Sequence, residues 1–224
     1  MGVTLFVDFD GTITERDLLD RIAQTFGDPD VYRDVDARLD EGTMTLHEVL
    51  RREFEPVRAP LDDVVAWVLE HATIRPGFTE LVEHAEERGW RVVVLSSGFG
   101  ELIGPVLDRA GLGRLELLSN AVDPDPEGWR VRFRDDRPCP VCGEPCKRAT
   151  VVAEADEGLR VYIGDGFSDR CGALASDLVF ARRRLAAYLT ETGAPYLPFE
   201  DFHGVAGEVE RFAVPGEPSN RSGR

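Results

Sequence analysis

The first apolar run of the chain, Val3 to Val7, breaks into two carboxylates one residue apart, Asp8-Phe9-Asp10, and then into Gly11-Thr12. A short unbroken apolar run is the pattern of a strand buried on both faces, so this one should deliver Asp8 and Asp10 at its carboxyl end. Three more runs repeat the pattern: Arg91 to Leu95 before Ser96-Ser97-Gly98, Arg160 to Ile163 before Gly164-Asp165-Gly166, and Leu178 to Ala181. Helical spacing lies between them, from Glu80 to Arg88 with Leu81, Val82 and Ala85 on one face, and from Leu102 to Ala110. Strands alternating with helices require an α/β fold built on a parallel sheet with helices on both faces, and such sheets take ligands outside the carboxyl ends of their strands.

Residues 15–75 break that alternation. They carry only helical patterning (Leu18, Leu19, Ile22, Ala23, Phe26; Leu46, Val49, Leu50, Phe54; Val64, Val65, Val68, Leu69), interrupted at Pro29, Gly42, Pro56 and Pro60. We read them as a helical cap inserted into a core made of residues 1–14 and 76–213. Trp129 to Phe133 alternates like an exposed hairpin strand flanking the sheet. Residues 214–224 are too polar and too rich in Pro and Gly to order themselves.

With 42% hydrophobic and 30% charged residues, the 224-residue chain can bury a core. Its formal net charge of −16 repels nucleic acid, anionic membrane and phosphorylated metabolites alike. Any phosphate chemistry therefore needs a local cation, a bound metal or a placed Lys. No apolar run approaches the roughly 20 residues of a membrane span and no leader pattern opens the chain, so the expected location is the cytoplasm.

Neighbouring carboxylates such as Asp8 and Asp10 repel when ionised, so they need a shared proton or a hard divalent cation, of which Mg²⁺ is the natural candidate. Gly164-Asp165-Gly166-Phe167-Ser168-Asp169 brings two more carboxylates to the same sheet edge, with glycines that admit a ligand to the backbone. Ser96-Ser97-Gly98 ends a strand and opens a helix, a ready anion site. Lys147 begins a helical pattern from which it can reach back over the edge. Each also has a plainer reading: Asp10, Thr12, Ser96, Ser168 or Asp169 as a helix cap, Lys147 as a solvated surface charge.

Taken together and in this order, Asp8-x-Asp10-Gly11-Thr12, Ser96, Lys147 and Gly164-Asp165-Gly166-x-x-Asp169 resemble the haloacid dehalogenase (HAD) superfamily of aspartate-nucleophile phosphatases. The cap between the first and second motifs resembles that of the subgroup containing phosphoserine phosphatase. Within it, Thr12 to Asp17, Ile74 to Phe78, Ser96 to Phe99, Cys142 to Lys147, Val179 to Ala181 and Leu197 to Phe202 look most like phosphatases of methionine salvage. The resemblance implies a HAD-like Rossmannoid fold and an Mg²⁺-dependent phosphomonoester hydrolase acting on a small phosphorylated metabolite.

By position, Asp8 would be the nucleophile that forms an aspartyl phosphate and Asp10 the general acid and base. Asp8, Asp10 through its carbonyl, Asp165 and Asp169 would serve the metal. Phe9, Asp10, Ser96, Ser97 and Lys147 would hold the phosphate. Two departures bear on substrate: Asp17 stands where phosphoserine phosphatases carry Glu, and Ser97 stands where Gly is common. Asp17, at the entry to the cap, is thus a candidate for recognising the leaving group. Phosphoserine phosphatase, and a phosphate-binding regulatory domain without turnover, are the alternatives.

Cys139, Cys142 and Cys146 form Cys-x₂-Cys-x₃-Cys directly before Lys147. A structural zinc site wants four closed ligands, so Cys171 or His203 would have to come close; free thiols are the alternative. His47, His71, His84 and His203 show no metal spacing, and Trp67, Trp90 and Trp129 read as core or hairpin residues.

Overall fold

The computed structural model describes residues 2–154 and 158–213, so the expectation for residues 214–224 lies outside the described residues. Among the described residues, seven strands form one sheet in the order β4-β3-β2-β1-β5-β6-β7: β1 (Gly2–Val7), β2 (Arg91–Phe99), β3 (Glu116–Asp123), β4 (Arg130–Arg132), β5 (Gly158–Gly164), β6 (Leu178–Ala181) and β7 (Leu197–Pro198). All pairings are parallel except β3 with β4. β1 is central and pairs with β2 and β5, so three motif-bearing strands lie side by side.

Side chains on a strand alternate between faces, and both faces of β1 are buried. Leu5 and Val7 pack with Val92, Val94, Val161 and Ile163 beneath α5 (Phe78–Glu87), α6 (Gly100–Arg109) and α10 (Val205–Ala213). Phe6 packs the other way with Val93, Leu95, Tyr162 and Val179. That second face is covered by α7 (Arg148–Glu154), α8 (Arg170–Ala173) and α9 (Arg183–Thr192), through Val151, Ala173, Leu185 and Leu189.

Between β1 and α5 the chain forms α1 (Leu18–Phe26), α2 (Pro29–Asp40), α3 (Leu46–Phe54) and α4 (Leu61–His71). Their stops and starts are chemical. Asp17 caps α1 through Asp20 N–H, Asp28 caps α2, and Thr45 with Glu48 forms a reciprocal capping box on α3. Leu18, Ile22, Phe54, Val64 and Val68 join the larger core cluster, so one apolar body runs from the sheet into this insert. Val35, Leu39, Met44 and Val49 form a small core of the insert's own.

Two sequence expectations change. The strand at Ser96-Ser97-Gly98 does not end there: β2 runs on to Phe99, with a register irregularity against β3 between Leu95 and Phe99, and α6 begins only at Gly100. The segment Trp129 to Phe133 is a hairpin strand as expected, but Trp129 is buried, stacks near Phe54 and donates its indole N–H to Ala59 (3.0 Å), bolting the insert to the sheet edge. Among the described residues no helix is long and apolar enough to cross a membrane.

Candidate active site

Asp8 extends β1 by one bond, donating its N–H to the Ile163 carbonyl (2.9 Å), and the chain then turns through Phe9 to Ile13. The turn depends on Gly11, whose φ is 74° and where an added Cβ would stand 2.4 Å from an Asp165 oxygen, so the tight approach of the two acidic loops excludes any side chain. Arg75 closes the turn from below. Its guanidinium, buried beneath the loop, donates to the carbonyls of Gly11 (2.8 Å), Thr12 (2.7 Å) and Thr14 (2.9 Å), and to that of Glu200 (3.1 Å). A buried cation that satisfies this many otherwise orphaned acceptors fixes the loop's shape without entering the chemistry.

On the upper side of the turn, carboxylate oxygens of Asp8, Asp165 and Asp169 lie within 4.8 Å of one another, and all three residues are buried. Lys147 Nζ bridges Asp8 (2.5 Å) and Asp169 (2.7 Å). Asp169, wholly buried, has no spare acceptor. One oxygen takes Lys147 and the Tyr162 hydroxyl (2.8 Å), and the other takes the N–H groups of Asp165 (3.0 Å) and Gly166 (2.9 Å). It is therefore built to orient Lys147 and the β5 loop. Thr12 donates to Asp165 (3.1 Å), and Arg183 reaches its other oxygen at 3.4 Å.

Burial, then the charge of Asp169, drives the Asp8 carboxyl well above its ordinary range, with Lys147 opposing. Burial and Asp169 likewise push Asp165 up to about 6. For Lys147 burial works against the charged form, and Asp169 and Asp8 overcome it, so the amine is held protonated above its ordinary range. Three buried carboxylates around one ammonium leave an excess of negative charge, and with Asp169 spent on its four donors the oxygens of Asp8 and Asp165 are the ones that suit a hard cation such as Mg²⁺.

Asp10 stands apart from that cluster. One of its oxygens accepts from the Leu18 (3.2 Å) and Leu19 (3.3 Å) N–H groups at the start of α1. Burial pushes its carboxyl up to about 7, against the pull of those two bonds. Ser96, buried at the end of the apolar part of β2, accepts from Gly98 N–H (2.8 Å), while the Ser97 carbonyl accepts from Asn120 (2.7 Å). A Cβ at Gly98 would meet Asp10 at 2.9 Å, so the β2 loop crowds the same spot.

Above the edge lies a cavity of about 280 Å³ between the insert and the core, reached by Ser97, Asp165, Phe167 and Arg183 from below and by Asp17, Asp20, Leu46, Val49, Leu50 and Glu53 from above. Asp17 is both wall and cap: one oxygen is spent on Asp20 N–H (2.9 Å), and burial followed by Asp20 raises its carboxyl well above the ordinary range. Burial, with Asp20 and Asp36 nearby, takes Glu53 up to about 8. The sequence reading named Asp17 but missed Glu53, Arg75, Tyr162 and Arg183. Glu53 sits at a helix position where its neighbours Val49, Leu50 and Phe54 are apolar, and that acid on an apolar stripe was the available signal.

The cysteines behave differently from their spacing alone. The sulfurs of Cys139, Cys142 and Cys146 are joined by that of Cys171, all four within 4.8 Å of one another. His203, the other candidate for a fourth ligand, packs at Gly77 instead.

A family model described as haloacid dehalogenase-like hydrolase matches residues 5–173. The 2-hydroxy-3-keto-5-methylthiopentenyl-1-phosphate phosphatase of Brevibacillus brevis is 30% identical over 212 residues, covering 91% of this chain and 93% of that one. The enzyme of the same name from Bacillus cereus is 28% identical, covering 94% and 97%. Among solved structures, a phospho-aspartyl intermediate analogue of phosphoserine phosphatase superposes with a TM-score of 0.70 at 20% identity, over 94% of this chain and 98% of that one. Phosphoserine phosphatase from T. onnurineus does so at 0.68 and 20%, over 93% and 94%. At that identity these two likenesses speak to the fold.

Proposed function

From the premise that the chain belongs to the haloacid dehalogenase-like hydrolase family, we propose that it is a phosphomonoesterase of small phosphorylated metabolites, working through Asp8. The observation that carries this is the convergence of Asp8, Asp165, Asp169 and Lys147 on one sheet edge beneath a cavity ringed with acids.

In this reading an Asp8 oxygen attacks phosphorus, forming the aspartyl phosphate as the ester P–O bond breaks. Asp10 gives its proton to the departing alkoxide, then takes one from the water that attacks phosphorus and frees Asp8. A carboxyl held at about 7 can do both near neutral pH. Lys147, Ser96 and the Phe9 and Asp10 N–H groups hold the phosphoryl oxygens, and Asp169 keeps Lys147 aimed. Asp8, Asp165 and the Asp10 main chain would hold Mg²⁺, which when bound offsets the repulsion between carboxylate nucleophile and phosphate.

The cavity bears on which ester is cleaved. Asp17, Asp20 and Glu53 can bond hydroxyl or keto groups, the latter through a protonated carboxyl, while Leu46, Val49 and Leu50 offer an apolar wall. The two arginines at the cavity already face carboxylates, Arg183 at Asp165 and Arg184 at Asp36 and Asp40. A substrate carboxylate, as in phosphoserine, would enter among acids with no uncommitted cation beside it among the described residues. A hydroxy-keto phosphate with a methylthio end, the substrate class named for the Brevibacillus and Bacillus relatives, fits better, and we assign the chain to methionine salvage on that ground. Steady-state kcat/KM for 2-hydroxy-3-keto-5-methylthiopentenyl-1-phosphate and for phosphoserine, each with Mg²⁺, tests the reading: the first should exceed the second by at least roughly tenfold. Preference for phosphoserine would overturn the substrate, and hydrolysis of neither would overturn the activity.

A further inference from the structure

The segment from Arg134 to Cys146 is long, polar and almost coreless. Between those residues only Cys139 is buried, and Val141, its one aliphatic side chain besides the prolines, is exposed. Yet this segment ends on Lys147, whose Nζ must sit within hydrogen-bond reach of Asp8 and Asp169. Apolar burial cannot be what fixes it.

The four cysteines supply an alternative. Cys139-x₂-Cys142-Gly143 forms a tight turn: Gly143 adopts φ 78°, its N–H returns to the Cys139 carbonyl (2.9 Å), and Cys139 N–H reaches the Glu144 carbonyl (2.9 Å). The Val141 N–H points at the Cys139 sulfur (3.4 Å), the kind of bond that favours a thiolate. Cys146 closes the turn, and Cys171 approaches from α8. All four thiols are free. Sulfurs around a tetrahedral ion with bonds of about 2.3 Å stand about 3.8 Å apart, so a group already within 4.8 Å closes onto such an ion by small side-chain movements. Soft sulfur donors in fourfold closed array select zinc over Mg²⁺ and leave no open position for catalysis.

We propose that Cys139, Cys142, Cys146 and Cys171 form a structural zinc site, the thiols releasing their protons to solvent as they bind, that staples the Lys147 segment to α8. Cys146 precedes Lys147, and Cys171 follows Asp169 by two residues, so the ion ties together the backbones that carry the 2.7 Å Lys147–Asp169 pair. The metal site stands independently of the phosphatase reading; only the importance given to Lys147 rests on it.

The test uses the full chain, purified without chelator and analysed for metal by mass spectrometry, then stripped and titrated with Co²⁺. One zinc per chain is expected, and the cobalt form should show the intense sulfur-to-metal charge-transfer absorption of a tetrahedral thiolate site. Cys171→Ser and the exposed Cys142→Ser should each weaken zinc binding by at least roughly tenfold, since loss of a ligand costs no less than loss of its supporting contacts. The second variant serves where the first fails to fold. Protein that carries no zinc and takes up no Co²⁺ in this form, or whose native mass shows cysteines paired in disulfides, overturns the site. Undiminished zinc in Cys171→Ser overturns the four-ligand set. Zinc removal that leaves turnover at saturating Mg²⁺ unchanged overturns the staple, and absence of phosphatase activity in protein holding one zinc would count against the Proposed function alone.

Discussion

The sheet edge and the insert's face look at each other across one cavity, but they are built on opposite terms. At the edge every carboxylate of the buried triad has a donor or cation in contact, and Asp169 has four. On the insert's face Asp17 has a single bond to its own helix, Asp20 has the Tyr32 hydroxyl and the more distant Arg184 set against Asp36, and Glu53 has the acids Asp20 and Asp36 as its charged neighbours. Fully paired groups are rigid and unspecific; under-paired groups facing a cavity wait for a partner. Under the proposed function, reaction belongs to the edge and choice of substrate to the insert.

The comparison breaks most visibly at Asp8. Asp8→Asn should fold, since the amide keeps the shape, and should lose activity on every substrate, because it supplies neither a carboxylate nucleophile nor an anionic metal ligand. Circular dichroism with a phosphatase panel checks both halves, and wild-type turnover in the variant would remove the aspartyl phosphate from the mechanism. In protein whose zinc content is checked to be unchanged, removal of Mg²⁺ with a chelator should reproduce the loss and Mg²⁺ reverse it, with Ca²⁺ a poor substitute owing to its looser coordination. Next in size, Lys147→Ala should cost about 10²- to 10³-fold in kcat on all esters alike, the signature of a group that sees only phosphate.

That division was partly legible beforehand. The ends of the apolar runs pointed to Asp8, Asp10, Ser96 and Asp165 because a buried run that stops on polar residues marks the ligand edge of a parallel sheet, even where, as at Ser96, the strand itself runs on to Phe99. β3 was invisible because Glu116 to Asp123 is half-buried along its length and so lacks a clean apolar run. Arg75 could not be valued from its surroundings, since an Arg between Ile74 and Pro76 belongs to no period; its role lies in carbonyls some 60 residues away in sequence. The fourth cysteine could be named but not chosen over His203 for the same reason: Cys171 joins the other three only through the β5 to α8 connection.

On the insert's side the effects should be smaller and selective. Asp17→Ala removes a possible substrate bond, worth roughly 1 to 3 kcal/mol, and also a helix cap, worth about 1 kcal/mol. Asp17→Asn separates the two, because the amide oxygen can still accept from Asp20 N–H. If Asp17 recognises the leaving group, both variants change the ranking of substrates and spare a featureless aryl phosphate. A uniform loss in the Ala variant that the Asn variant restores would reduce Asp17 to a cap and move recognition elsewhere on the insert.

Glu53 gives the finest test, and its sign is fixed by linkage. Its folded carboxyl titrates at about 8 against an ordinary 4.5, so between those values the native state holds a proton that the unfolded chain has released. Stability then falls as pH rises through that window, the contribution being fully present below about 4.5 and lost above about 8. Glu53→Gln stays neutral throughout and should flatten this decline, leaving the variant's thermal midpoint above the wild type's at the alkaline end and close to it at the acid end. The same variant keeps an N–H donor toward the cavity, so KM for a hydroxy-keto phosphate should rise less on going alkaline than it does in the wild type. Parallel midpoints across the window would mean that Glu53 is ionised and paired in the native state, and the insert's face would then be as fully satisfied as the sheet edge.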